Sequence, residues 1–524
     1  MEKYYDIHCH FFNKNVINRK LAGILQSLSK IMEKLQNKIE DEETIDSLGA
    51  INDSLSDLQT TSEHVYDVLD KIYDHNFILT PLMMDLTYVD DNDGTNGQNR
   101  RHKRQVLRLL ILLREILRFG IKHSLKKDTR KLLVEIMDGI QKQIKKTRKA
   151  NDNDLNLFPE RNYIQQIEEL EQLSEKHTNV KPFFGLDPRR EYKDHQNLLE
   201  LVKQKLLGSN PSFAGIKLYA PTGFSPTDPV LMGTDFQEGI YHFCEENKIP
   251  ITVHCSDTGF ACFSQNIRIN GLVNLDKQLV QLNNQILTFN AKTISKNAGD
   301  AISERATKLN HPSIWRKVLE KYPELHINFA HFGGSTPLMQ FVNYEIPERL
   351  LSMDIEDFED EIEDQVSIEN KNFVLSCYVK NRRKMELREN ILQSEREKLW
   401  KTLYNDKIID NWSKAILDII REPKFKNAYT DLSCFSAGGV VDVIEDSLEK
   451  RVFKIKHDLS VFKHNLYDNL TEEIQKRILY GSDFFFIEFF GPKVKRYIQD
   501  FKDVFGDDFK RIASENPERF LGIS

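Results

Sequence analysis

Short apolar runs, often β-branched, recur along this chain and alternate with longer stretches in which apolar residues return every three or four positions. The short runs fall at 4–9, 77–86, 179–186, 213–219, 250–254, 325–331, 427–433 and 478–483. Helical periodicity marks 161–176, 192–207, 235–247, 313–322 and 493–505. Strands that alternate with helices imply an α/β class with a parallel sheet. Eight such units predict closure into a (β/α)8 TIM barrel.

A barrel of this kind needs roughly 250 residues, and the chain has 524. About half of it is therefore expected to be insertion within a single barrel domain spanning 1–524. The insertions, expected to be mostly helical, follow strands two, five and six at about 87–160, 260–310 and 341–425. The first is basic, with Arg100, Arg101, Lys103 and Arg104, then Lys145, Lys146, Arg148 and Lys149. The second is polar. The third holds an acidic run from Asp354 to Asp364. Each follows the C-terminal end of a strand, where barrel enzymes carry their substrate loops. The two charged insertions could pair with each other or stand as separate solvated faces. Asn516-Pro-Glu-Arg-Phe-Leu-Gly-Ile523 reads as the helix end that closes the barrel.

Composition narrows the function classes. A net charge of -7 does not suit a chain built to coat polyanions. No apolar run of about 18 residues is present, so no membrane span is expected. The N-terminus lacks a basic start followed by an apolar stretch, so no secretory signal is expected and a cytoplasmic location is. Six cysteines are scattered without CxxC spacing. In a reducing compartment they are mostly small buried hydrophobes. Cys9 and Cys255 abut candidate ligands, but on a strand each points away from its neighbouring histidine.

The chemistry lies at the strand ends. His8 and His10 are two apart on the first strand, so their side chains share a face. His254 ends the fifth strand, His331 the sixth, and Asp483 the eighth. An isolated HxH is more often structural than ligating, a lone His on an apolar run is more often a core residue, and Asp483 alone could cap a helix. Together they are hard to explain by packing, which would favour Val, Ile and Leu there, because unpaired buried polar groups cost kcal/mol each. Three imidazoles and a carboxylate suit one divalent metal, Zn²⁺ above all.

The chain resembles the amidohydrolase superfamily, and within it the amidohydrolase-2 branch that includes aminocarboxymuconate-semialdehyde decarboxylase. The matching segments are Asp6-Ile-His-Cys-His10, Gly215-Ile-Lys-Leu-Tyr-Ala-Pro221, Pro250-Ile-Thr-Val-His254, Tyr322 to Gly334, Ala428-Tyr-Thr-Asp-Leu-Ser433, Leu479-Tyr-Gly-Ser-Asp483 and Asn516 to Gly522. They run from first strand to last helix, and the insertions lie outside them. The resemblance implies that His8, His10, His254 and Asp483 bind the metal, with His331 as acid/base beside it and Asp483 also able to take a proton.

Lys217 stays open between three roles: a carbamylated bridge to a second metal, a point charge for a substrate carboxylate, or no chemical role. Arg189, in Asp187-Pro188-Arg189-Arg190, is a candidate for an acidic substrate, while Asp187 reads as a turn residue with Pro188. Asp257 either supports a ligand from outside the coordination sphere or is a loop residue.

The leading expectation is a metal-dependent hydrolase that uses an activated water on a C–N or C–O bond of a small molecule. On the same metal, non-oxidative decarboxylation or hydration of an unsaturated acid is the alternative. A binding module is the reading from a different class. The basic insertion lacks the interleaved aromatics that stack bases, so a nucleic-acid partner is not expected. A dead scaffold is disfavoured because all five site positions carry competent residues. An oligomer is compatible with the sequence.

Overall fold

The computed structural model describes residues 3–11, 61–89, 160–209, 211–262, 264–290, 298–344, 411–436, 448–484, 487 and 494–523, with isolated positions between 134 and 145. The acidic run 354–364 and nearly all of the basic stretch lie outside the described residues.

Ten strands are present among them: β1 (Tyr4–Cys9), β2 (Phe77–Pro81), β3 (Phe183–Leu186), β4 (Gly215–Leu218), β5 (Ile251–Ser256), β6 (Asn266–Leu275), β7 (Gln278–Thr288), β8 (Ile327–Gly333), β9 (Ala428–Asp431) and β10 (Ile478–Leu479). The helices are α1 (Ser62–Ile72), α2 (Glu160–Lys176), α3 (Leu198–Leu207), α4 (Ile240–Glu246), α5 (Ala298–Asn310), α6 (Pro312–Lys321), α7 (Ser335–Tyr344), α8 (Trp412–Arg421), α9 (Leu448–Asn465), α10 (Val494–Phe505) and α11 (Asn516–Leu521), beside shorter turns of helix. Each of the eight expected strand segments contains a strand.

Six strands form one parallel sheet in the order β10-β9-β8-β5-β4-β3, and β1 pairs with β2 in a second parallel sheet. The continuous ladders do not close into the expected cylinder. Between β2 and β3 there are only single parallel bridges, Leu79 to Val180 and Leu82 to Phe183. Pro81 and Pro182 lie at this seam, and proline has no N–H to give a ladder. Between β10 and β1 there are isolated hydrogen bonds: Ile7 N donates to Tyr480 O (3.2 Å) and Asp483 N to His8 O (2.7 Å). Strand β10 is only two residues long because the chain turns away after it, with Asp483 in the left-handed region at φ +53°. Gly481 lets the two strands meet there, since a Cβ on it would sit 2.6 Å from His8 Cβ.

The helices are set by local chemistry and held by one apolar face. Asn411 caps α8 by accepting from Lys414 N, and Asn197 caps α3 by accepting from Glu200 N. Helix α8 then buries Ile416, Leu417, Ile419 and Ile420. Burial of each such side chain contributes roughly 1.5–3 kcal/mol. A separate cluster of Tyr5, Ile7, Ile78, Phe183, Tyr429, Leu479 and Phe520 takes side chains from strands of both sheets and from α11. Asn516 ties α11 to β10, donating from Nδ2 to Ile478 O at 2.7 Å.

The 260–310 insertion departs from the expected helical character. It contains the antiparallel hairpin β6–β7, followed by α5. Ile267, Ile269 and Val273 are buried at alternate or near-alternate positions, the period of a half-buried strand. Asp276 and Lys277 turn the hairpin with φ of +47° and +68°, as a tight turn matched to strand twist requires.

Candidate metal centre

All the parallel strands point the same way, and the polar residues gather at their C-terminal ends. Two irregularities aim them. The pairing of β1 with β2 shifts between Asp6 and Cys9, just where His8 lies. The pairing of β5 with β8 shifts between His254 and Ser256, so that two residues separate the paired positions Ala330 and Gly333. Those two, His331 and Phe332, adopt φ of +66° and +47°. Bulges of this kind re-aim a side chain at the rim of a sheet.

His8, His10 and Asp483 come together, with one ligand atom from each within 4.8 Å of the others. His8 Nε2 and His10 Nε2 lie 3.3 Å apart. The proton positions follow from the partners. His10 Nδ1 lies 2.7 Å from Leu82 O, a carbonyl that only accepts, so Nδ1 carries the hydrogen. His8 Nδ1 lies 3.1 Å from Asp431 Oδ2 and likewise donates. Burial lowers the pKa of both rings, so both are neutral near pH 7. The two Nε2 atoms therefore face each other as lone pairs, an arrangement that a cation between them would satisfy.

Asp483 is 4% exposed and its Oδ1 has no hydrogen-bond partner among the described residues. Burial raises its pKa to about 8, against the pull of Lys217 and with the push of Asp431 and Asp6. A buried carboxylate oxygen without a partner among the described residues suits the third donor a metal would need. Behind it, Asp6 accepts from Ser482 N (2.9 Å), Ser482 Oγ (2.6 Å) and Tyr73 Oη (2.8 Å). These bonds fix the turn that presents Asp483 to the histidines.

His331 belongs to a second group, with His8 and Asp431. Its ring centroid is 4.6 Å from that of His8 and 4.9 Å from that of His254. Its Nδ1 is 2.9 Å from Ser433 Oγ. Ser433 Oγ gives its hydrogen to Asp431 Oδ1, so it receives one from His331 Nδ1, and His331 keeps Nε2 as its basic atom. Burial first, then the neighbouring His8, lower the His331 pKa to about 3, against the pull of Asp431. In this state the ring is a neutral proton acceptor.

Asp431 organises both groups. It accepts from Asn328 Nδ2 (2.7 Å), His331 N (2.9 Å) and Ser433 N (3.1 Å), besides His8 and Ser433 Oγ. Burial opposes its ionisation, but the charge and hydrogen bond of His8, with His331, hold its carboxyl well below the usual range. The sequence signal was the carboxylate ending the seventh strand in Thr-Asp-Leu-Ser, a segment with no role assigned to it. Ser433 and Asn328 had no signal that separates them from ordinary strand residues.

Two expected site residues, His254 and Arg189, sit differently. His254 is outside both ligand groups. Its Nε2 lies 2.9 Å from Thr258 O, and its ring stacks on Tyr219 at 4.1 Å. Gly259, at φ +104°, allows this close approach, because a Cβ there would meet Tyr219 Oη at 2.6 Å. Arg189 is buried and spent within the fold: it pairs with Asp187 through Nε (2.9 Å) and Nη2 (2.5 Å) and donates to Tyr88 O and Thr222 O. Asp187 Oδ1 also accepts from Arg189 N, the expected turn. Lys217, 1% exposed, points into the site with no hydrogen-bond partner among the described residues. Burial lowers its pKa to about 8, against the pull of Asp431 and Asp483. Asp257 follows β5, with burial raising its carboxyl to about 6.

Compared with known proteins, the chain matches no family model and no curated protein. Among the described residues no helix is long and apolar enough to cross a membrane.

Proposed function

We propose that this chain is a metal-dependent hydrolase of the amidohydrolase type, its eight parallel strands forming the staves of a (β/α)8 barrel. The apolar cluster shared by strands of both sheets and the hydrogen bonds across the two seams support the barrel. The observation that carries the function is the pair of unprotonated Nε2 atoms of His8 and His10, 3.3 Å apart beside Asp483, whose Oδ1 has no partner among the described residues.

His8, His10 and Asp483 would hold one divalent ion, which suits the three-ligand sites of catalytic zinc. His254 would join them as a ligand only by turning its ring away from Thr258. A bound zinc supplies a water acidified towards neutrality and positive charge for a developing oxyanion. The chain does the rest. His331 Nε2 takes a proton from the attacking water and returns it to the leaving atom. Ser433 and Asp431 fix the orientation and tautomer of both His8 and His331. The loop 257–260 meets the site at His254 and Tyr219, with Thr258 O 2.9 Å from His254 Nε2 and Phe260 N donating to Tyr219 Oη.

The test is a panel of small amides, lactones and unsaturated carboxylic acids offered to the zinc-loaded protein, with product acid and released CO₂ read separately. Hydrolysis that His331→Ala lowers by 10²-fold or more, at unchanged metal content, is the expected result. Release of CO₂ without hydrolysis would move the assignment to a decarboxylase. Turnover unaffected by the substitution would remove His331 from the chemistry.

A further inference from the structure

The hairpin β6–β7 has two edges, and the described residues cover only one. On β6, Leu272 N donates to Thr227 Oγ1 (2.6 Å), and Leu272 O accepts from Ser225 Oγ (2.7 Å). Leu272 thus turns its backbone away from β7. In an antiparallel pair, residues directly opposite each other turn their backbone groups alike, both towards the partner strand or both away. Gln281, opposite Leu272, therefore points its N–H and C=O away from β6, and so does Leu279, two positions before it. No described residue bonds to either backbone on that side.

This edge lacks the guards that keep sheet edges apart. Strand β7 carries no charged residue, proline or glycine along its 11 residues. A two-stranded ribbon is marginal in water, and added strands strengthen it. Two features set the length open to pairing. The turn at Lys277, with φ +68°, ends it on one side. On the other, Asn283 and Asn284 bulge opposite Asn270, with Asn284 at φ +56°. The straight run between them is Gln278 to Leu282, and its middle residue is Val280.

We propose that this edge pairs with the same edge of a second copy of the chain, antiparallel about a two-fold axis at Val280. Leu279 of each copy then lies opposite Gln281 of the other, and each such pair exchanges both its N–H···O bonds. The Val280 side chains of the two copies meet at the axis. A two-fold contact must be self-complementary, and here the charges agree. Lys277 of one copy faces Asn283 of the other. Asp276 faces Asn284, whose carbonyl oxygen already accepts from Arg268 Nη1 at 2.8 Å, so an acid meets a base. The two hairpins become one sheet in the order β6-β7-β7-β6. The contact needs no metal.

The experiment is sedimentation equilibrium of the full chain at up to about 100 μM, where micromolar association is read directly. Wild type should approach twice the mass of one chain. Gln281→Pro removes an outward N–H without breaking the ladder to β6, and should weaken association at least about tenfold. A wild type that stays a single chain overturns the proposal. So does association that Gln281→Pro leaves unchanged, or that runs on into open polymers. If Gln281→Pro does not fold, Val280→Cys decides. Mild oxidation should link two copies of that variant through the axis as a covalent dimer, under conditions in which wild type stays unlinked. Failure to link overturns the pairing.

Discussion

Asp431 Oδ2 lies 3.1 Å from His8 Nδ1, with both side chains fully buried and 423 positions apart in the chain. The contact fixes the proton on the far side of the imidazole and turns Nε2 towards His10. Carboxylates placed this way typically contribute 10–100-fold to metal affinity. Asp431→Ala should therefore weaken zinc binding by about that factor in a chelator competition. Asp431→Asn, which can still accept from His8, should lose less. Equal affinity in all three proteins would show that Asp431 does not orient the ligand.

Arg190 carries a structural prediction away from the metal. It is fully buried, reaches Asp85 through Nε (2.5 Å) and Nη2 (3.0 Å), and lies 3.5 Å over the ring of Tyr163. Removing Asp85 leaves Arg190 only the partly exposed Glu160 (2.8 Å) and Asp194 (3.2 Å) as carboxylate partners among the described residues, a loss bounded above by the about 3–5 kcal/mol of a broken buried pair. Asp85→Ala should lower denaturant stability by up to that amount, while Asp85 and Arg190 replaced together by apolar residues should recover part of it. A loss below about 1 kcal/mol in the single variant would contradict this account.

Asp228 gives stability a pH dependence. Burial raises its carboxyl to about 7, against the hydrogen bonds from Val230 N and the Tyr192 hydroxyl. The folded state thus holds a proton that the unfolded chain releases near pH 4. This contribution is fully favourable below about pH 4 and is lost as pH rises to about 7. Asp228→Asn keeps the acceptor without the charge. It should unfold at higher denaturant than wild type at pH 8, and the two curves should converge near pH 4. A gap that is independent of pH would contradict the assignment.

Gly481 tests the seam between β1 and β10. A Cβ at this position would lie 2.6 Å from His8 Cβ and 3.1 Å from Ser433 Cβ. Gly481→Ala should push the first strand away from the eighth parallel one, weaken metal binding and lower the melting temperature together. Loss of one without the other would separate the strand contact from the ligand geometry.

The sequence was readable where a single residue type marks a single job. Eight apolar runs located eight strands, and of the five polar residues at their ends the fold brings His8, His10 and Asp483 into one group and His331 into a second, with His254 outside both. Pairing was less readable. Pro81 and Pro182 interrupt the ladder at one seam, and the turn at Asp483 shortens it at the other, but the backbone consequence depends on which strands meet. The hairpin β6–β7 lies inside a polar stretch, marked only by the alternation at Ile267 and Ile269, too short a signal to set against the expectation of a mostly helical insertion. Arg189 looked like a substrate contact because its partner two residues back, Asp187, read as a turn residue, and its carbonyl partners on Tyr88 and Thr222 come from distant parts of the chain. Asp431 was visible as a strand-end carboxylate, but its bond to His8 depends on a fold that brings β1 beside β9 and β10.

The central claim is a divalent ion between His8 Nε2, His10 Nε2 and Asp483. Diffraction data collected on either side of the zinc absorption edge, from crystals of the zinc-loaded full chain, would locate it. The account predicts one anomalous peak within bonding distance, about 2.0–2.2 Å, of those three groups. A zinc-loaded protein whose peak lies elsewhere, with the two imidazoles still facing each other across an empty gap, would contradict it.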